Sequence, residues 1–166
     1  VSRLWMNEPL TSLDVYQRTI TNVLCYKRSS LQEICIAEAG DYGKALILDG
    51  QLQASLADEF LYHEALVHPP LIQLSYPRSV LIVGGGDGAA AREALRWRSV
   101  RRVTVVEVDR EVVEACREHL PEIHQNAFDD PRLDVVTEDG LRFLENTDGT
   151  WDVIIFDLPD PADGAP

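Results

Sequence analysis

Val80-Leu-Ile-Val-Gly-Gly-Gly-Asp-Gly88, running into the Ala-rich segment Ala89 to Trp97, decides the fold. Four apolar residues without polar alternation fit a strand buried on both faces. The glycines make a turn without side chains, and the Ala-rich segment favours helix. Strand, bare turn and helix N-terminus together let a ligand approach the backbone and meet free N–H groups. Asp87 puts a negative charge into that turn. It would repel a pyrophosphate, so the turn suits a ligand that is cationic or presents hydroxyl or amino donors.

Outward from this stretch, strands alternate with helices. Val80 to Val83 is the first strand, Arg102 to Asp109 the second, Leu133 to Thr137 the third and Trp151 to Phe156 the fourth. Arg110 to Leu120 reads as a helix closed by Pro121. This alternation predicts a parallel, doubly wound sheet. Two common strand orders are open, 3-2-1-4 and 2-1-3. In the first, strands one and four flank the switch point, and Asp87 and Asp157 face each other across one crevice.

Before Pro77 the pattern changes. Residues 1 to about 56 read as β structure, with strands at Val15–Val23, Glu33–Glu38 and Lys44–Leu48 and turns at Ala39–Gly43 and Asp49-Gly50. Antiparallel hairpins are the simplest arrangement. Asp58 to Leu74 reads as a helix whose apolar face is Phe60, Leu61, Ala65 and Leu71 to Leu74, interrupted by Pro69-Pro70. The expected division is a small β domain over residues 1–56 and a nucleoside-binding domain over 57–166.

The 166 residues carry 28 acidic against 15 basic side chains, a net charge of −13. That balance argues against nucleic acid as a partner and suits a cationic small molecule. Cys25, Cys35 and Cys116 are far apart and form no CxxC pair, so reduced thiols and a cytoplasmic location are expected. No apolar run reaches the roughly 20 residues of a membrane span. The chain begins at Val1 and stops just after a motif, and is read as part of a longer protein.

Each strand of the second region ends in acid: Asp87, then Glu107 and Asp109, then Glu138 and Asp139, then Asp157 and Asp160. Any one of these could be a loop residue or a helix cap. Glu107, however, lies about twenty residues beyond the glycine turn, where an acid takes up ribose hydroxyls. Asp139-Gly140 falls on the base side, where it could accept from an exocyclic amine. Asp157-Leu-Pro-Asp-Pro161 holds two carboxylates three residues apart on a stiff loop; such a pair can grip an ammonium and accept its proton. His63, His68, His119 and His124 show no metal-ligand spacing, so no metal is expected.

Gln32, Leu48-Asp49-Gly50, Asp58-Glu59-Phe60, Tyr62-His63-Glu64, Gly84 to Gly88, Val106-Glu-Val-Asp109, Asp129-Asp-Pro-Arg132, Glu138-Asp-Gly140 and Asp157-x-x-Asp-Pro161 occur in this order. With this set the chain resembles the polyamine aminopropyltransferases, the spermidine synthase family. The resemblance implies an α/β fold: a Rossmann-like sheet of the class I methyltransferase type, here without its C-terminal strands, preceded by a small antiparallel β domain. It implies aminopropyl transfer from decarboxylated S-adenosylmethionine, a co-substrate, to putrescine or a related amine, with no further cofactor.

By position, the resemblance gives Gly84 and Gly86 to the nucleoside turn, Glu107 to the ribose, and Asp139 and Gly140 to the adenine. It gives Gln32 and Asp87 to the aminopropyl tail, Asp157 to the proton acceptor, and Tyr62, His63 and Asp160 to the acceptor amine. Homodimers or homotetramers are usual in such a family. Leu158-Pro159 stands where the family has a small polar pair, and the lid segment after Pro161 differs too. The Asp-Leu-Pro-Asp-Pro form looks like a branch that follows a multi-pass membrane region. Two other readings share the nucleoside site: a methyltransferase that uses intact S-adenosylmethionine, and a non-catalytic nucleoside-binding or dimerisation module. Asp87 disfavours the methyltransferase, because methionine's carboxylate would lie beside it.

Overall fold

A computed structural model describes residues 4–9, 11 and 13–159. The first part is an antiparallel sheet of β1 (Leu4–Pro9), β2 (Val15–Arg28), β3 (Glu33–Ala39), β4 (Lys44–Leu48) and β5 (Gln51–Ser55), in that spatial order. Asp49 and Gly50 both have positive φ, 48° and 78°. A two-residue hairpin with right-twisted strands requires this backbone, and Asp-Gly is the pair that tolerates it. The Asp49 carboxylate also accepts from the Glu33 N–H at 2.8 Å, tying the turn to β3.

The second part is a parallel sheet of β6 (Ser79–Gly84), β7 (Arg102–Glu107), β8 (Leu133–Thr137) and β9 (Val153–Asp157), ordered β8-β7-β6-β9. This is the 3-2-1-4 order, with β6 and β9 paired and Gly84 opposite Asp157. Val80 to Val83 are all buried, as an apolar run without alternation requires. Helices α1 (Glu59–Ile72) and α2 (Ala89–Leu95) cover one face, where Val67, Leu71, Ala90 and Ala94 pack on Val80, Ile82, Val103 and Ile155. On the other face Phe143 and Leu144 of α5 (Gly140–Asn146) cover Leu81, Val83 and Val106.

Helices α3 (Arg110–His119) and α4 (Pro121–His124) join the two sheets. Val112, Ala115, Cys116 and Ile123 share one core with Ile34, Ile36 and Leu46 of the antiparallel sheet.

Three expectations need correcting. First, α1 is not broken at Pro69-Pro70; it runs through both to Ile72. A proline removes the donor to the carbonyl four residues back. Here that loss falls in the last turn, where the Gln73 N–H closes on the Pro69 carbonyl at 3.3 Å. Second, the buried face of α1 is Glu59, His63, Val67 and Leu71, while Phe60 and Leu61 are 44% and 64% exposed and Ala65 is exposed. Polar residues turn inward because they back the cleft described below. Third, β7 stops at Glu107, and Asp109 instead caps α3 by accepting from the Glu111 N–H at 3.0 Å.

Candidate active site

At the C-terminal edge of the parallel sheet, where β6 and β9 meet the antiparallel sheet, lies a cleft of about 1240 Å³. Its lining includes Gln32, Tyr62, His63, Gly84, Gly86, Asp87, Glu107, Asp139, Gly140 and Asp157. These are all the expected site residues except Asp160, which lies outside the described residues. The crevice therefore sits at the switch point of the sheet, where a doubly wound fold leaves strand ends uncovered.

The glycine turn is shaped by close approach. Gly84 has φ +85°, and a Cβ there would lie 2.0 Å from the Asp157 carbonyl oxygen. The Gly85 N–H donates to that same carbonyl at 3.1 Å, so turn and strand end are bonded together. At Gly86 a Cβ would meet the Glu107 carboxylate at 2.9 Å. Asp87 is buried. One of its oxygens accepts from the Ala89 N–H at 2.9 Å, and the other faces the His63 ring, 3.7 Å from Nε2. It holds the first N–H of α2 and charges the cleft at once.

His63 and Asp157 form the electrostatic centre. The His63 ring is 3% exposed. Its Nδ1 lies 2.9 Å from a Glu59 carboxylate oxygen and 2.8 Å from the Glu59 carbonyl; its Nε2 lies 3.9 Å from Asp157. Burial opposes its charged form, but the Glu59 hydrogen bond and the charges of Asp87 and Asp157 outweigh it and lift its pKa to about 9. His63 is thus a cation at neutral pH. Burial, then the Asp87 charge, raises the pKa of Asp157 to about 6, against His63 and a hydrogen bond from the Tyr62 phenol. Asp157 is therefore ionised at neutral pH yet more basic than an ordinary carboxylate.

Glu107 lies beside the glycine turn. Burial pushes its carboxyl above the usual range, against backbone N–H donors from Asp109, Gly86 and Val108. Asp109, next along, is buried and accepts from Ser29 Oγ at 2.6 Å and Gln32 Nε2 at 3.0 Å. Gln32 thus reaches the cleft wall from the β2–β3 connection with its amide anchored on Asp109. Asp139 is exposed and caps α5 through the Arg142 N–H at 2.9 Å. Gly140 packs against β6, where a Cβ would fall 2.3 Å from Val83 Cγ1.

Behind this wall lies a cluster that the sequence reading missed as such. Glu59 forms a two-point ion pair with Arg92 at 2.8 and 3.0 Å. Arg92 also donates to Glu93 at 2.7 Å and to the Ile123 carbonyl. Glu93, fully buried, accepts from Arg96 and lies 3.1 Å from His68 Nε2. The available signal was Arg92-Glu93 inside an Ala-rich helix that is buried on every side.

Among the described residues, His63, Asp87 and Asp157 offer ligand atoms within 4.8 Å of one another, a donor set that could take a divalent cation. Protonated His63 has no lone pair to give. An organic ammonium brings its own N–H donors and meets the two carboxylates without displacing that proton.

Fold and site define a class: a Rossmann-like domain of the methyltransferase type whose switch-point cleft is lined by acids. Comparison with known proteins narrows it. The profile of the spermine/spermidine synthase domain matches residues 59–165, and that of the spermidine synthase tetramerisation domain matches residues 5–55. The chain is 54% identical to a polyamine aminopropyltransferase of Synechococcus sp. (strain JA-3-3Ab), over 99% of this chain and 54% of the relative. Its structure superposes on spermidine synthase from Thermotoga maritima with a TM-score of 0.89 at 37% identity, covering 93% of this chain and 54% of the other. A spermidine synthase in complex with the transition state analogue AdoDATO gives a TM-score of 0.91 at 38% identity, covering 95% and 54%. The chain belongs to the spermine/spermidine synthase family. It spans about half the length of the curated relatives it matches.

Proposed function

We propose that the protein transfers the aminopropyl group of decarboxylated S-adenosylmethionine to putrescine or a related diamine, giving spermidine and methylthioadenosine. The observation that carries this reading is the buried Asp87–Asp157 pair facing His63 at the switch point. A methionine carboxylate would be repelled there, whereas the decarboxylated tail has only its ammonium. The names of the relatives agree with the same chemistry.

In this reading Glu107 holds the ribose hydroxyls, and Asp139 with Gly140 holds the adenine edge. Gly84 and Gly86 leave room for the nucleoside, and Gln32 and Asp87 hold the aminopropyl tail. Tyr62, His63 and Asp160 surround the acceptor. The amine nitrogen attacks the methylene carbon beside the sulfonium, the carbon–sulfur bond breaks, and methylthioadenosine leaves neutral. A free alkylamine resembles lysine, with a pKa of about 10, so the proton needs an oriented acceptor. Asp157 supplies it. Positioning of both reactants in one cleft supplies another part of the rate. The reaction needs no metal.

The proposal extends to organisation. Residues 1–56 and 57–166 are read as two domains, because the antiparallel sheet ends at Ser55 and the second family profile begins at residue 59. The tetramerisation-domain match supports a homo-oligomer, read as a dimer or tetramer. A cytoplasmic location is inferred from the three free thiols. A fused membrane region rests only on the Leu158-Pro159 form of the catalytic loop; no described helix is long and apolar enough to cross a membrane.

The test is incubation of the full-length protein with decarboxylated S-adenosylmethionine and a panel of diamines, followed by chromatography for methylthioadenosine. Methylthioadenosine with putrescine is the expected result. S-adenosylhomocysteine formed from intact S-adenosylmethionine would replace this reading with a methyltransferase. Nucleoside binding without any turnover would replace it with a binding module.

A further inference from the structure

The side chains of Glu59 and Arg92 are bonded to each other and buried one layer behind the glycine turn and the strand-end acids. The two-point pair leaves the Glu59 carboxylate little freedom. Arg92 is fixed in turn by Glu93 and by the Ile123 carbonyl of α4. One Glu59 oxygen and the Glu59 carbonyl both lie within hydrogen-bond reach of His63 Nδ1. Two acceptors at one ring nitrogen require that nitrogen to carry hydrogen. The ring can then turn neither away nor over, and Nε2 is left pointing between Asp87 and Asp157.

We propose that Glu59 and Arg92 are positioning residues: their buried ion pair fixes His63 with Nδ1–H on Glu59 and Nε2–H between Asp87 and Asp157. The inference rests on the proposed transfer reaction for its purpose, and on geometry for its content.

The fixed imidazolium has a definite job. Asp87 and Asp157 repel each other, and burial penalises both charges. A cation in contact with both keeps the second carboxylate ionised before the amine arrives. The groups facing His63 are Glu59 from its own helix, Asp87 from the β6–α2 turn and Asp157 from the end of β9. The Tyr62 ring meets it edge-on, with centroids 5.1 Å apart, and Arg92 of α2 stands behind Glu59. The charges in direct contact are all negative, consistent with the upward shift of His63. Without Glu59 the ring loses its anchor and one of three anionic neighbours. Asp157 would then hold its proton to higher pH.

The experiment is ¹⁵N–¹H NMR of the histidine side chains in the full-length protein, with the His63 signals assigned by their loss in His63→Gln. In the wild type at pH 7.5, both His63 nitrogens are expected to be protonated, with the Nδ1 proton protected from exchange. A neutral His63, or an Nδ1 without hydrogen, overturns the proposal with no variant needed. In Glu59→Gln the His63 midpoint is expected to fall by about 1–2 pH units. Glu59→Asp should restore part of that shift, and Arg92→Lys should show a smaller fall. A folded Glu59→Gln with an unchanged midpoint also overturns it. In turnover, Glu59→Gln should move the acid limb of kcat/KM to higher pH; a uniform loss at every pH would mark Glu59 as merely structural. Absence of turnover in the wild type would overturn the reaction but not the placement of His63, which the spectra read independently.

Discussion

Ionising Asp157 inside the cleft costs the folded protein free energy. Its pKa rises from the ordinary 3.8 to about 6, first through burial and then through Asp87. The folded state therefore holds the proton more tightly than the unfolded chain. Stability on this account is greatest below pH 3.8 and falls as pH rises towards 6. Asp157→Asn removes the buried charge and keeps the shape. At pH 7.5 it should unfold at higher denaturant than the wild type, by about 1–3 kcal/mol, with the gap closing as pH falls to 4. Transfer should be lost while nucleoside binding is retained. In the wild type, kcat/KM should fall as pH drops through about 6, because protonated Asp157 accepts nothing. His63 has the opposite sign. Its pKa of about 9 adds stability that is complete below pH 6.5 and lost as pH rises through 9. His63→Gln should flatten the alkaline decline in thermal midpoint between pH 7 and 9; an unchanged decline would assign it to other groups.

At the scale of the element, the β6–α2 turn shows how tightly the sheet constrains the site. Gly84→Ala combines a left-handed backbone with a Cβ placed 2.0 Å from the Asp157 carbonyl. Neither backbone can yield without breaking the β6–β9 pairing. A loss of more than about 3 kcal/mol in chemical denaturation is expected, with nucleoside binding reduced in whatever folds. This turn was legible because every residue in it obeys a local rule: an apolar run, then glycines, then alanines. Asp49-Gly50 was legible for the same reason. Helix α1 was not. Its apolar residues Phe60, Leu61 and Ile72 face outward, and Glu59 and His63 face inward. Hydrophobic periodicity assumes that a helix buries its greasy side, and a helix that backs a charged cleft reverses that choice. β5 escaped notice because Gln-Leu-Gln-Ala-Ser carries no β-branched or aromatic residue and is held by its pairing with β4. The strand-end acids were visible one by one. Their meeting with His63, and the Glu59–Arg92 pair behind it, depended on contacts between residues far apart in the chain, such as Glu59 with Arg92 and His63 with Asp157, which no local pattern encodes.

For the whole molecule, the cleft belongs to both sheets, and Asp109 is where they are bonded at its rim. One of its oxygens takes Ser29 and Gln32 from the β2–β3 turn of the antiparallel sheet; the other caps α3 through Glu111. Its own N–H donates to Glu107 at 3.0 Å, so the acid proposed for the ribose is oriented by the residue that anchors Gln32. The proposed ribose contact and the seating of one sheet on the other thus share one residue. Asp109→Ala leaves a hydroxyl, an amide and a helix N–H without their partner, an expected loss of about 2–4 kcal/mol. The apolar core shared by α3 and β3 remains, so unfolding should stay a single transition with an unchanged denaturant slope. Affinity for methylthioadenosine, measured by calorimetry, should drop about tenfold or more, because both Gln32 and the approach to Glu107 loosen. Asp139→Ala provides the contrast for stability. It removes only the exposed cap of α5 and should cost about 1 kcal/mol. If Asp109→Ala cost no more than that, Asp109 would be a helix cap alone, and the two sheets would be held together by their apolar core without help from the site.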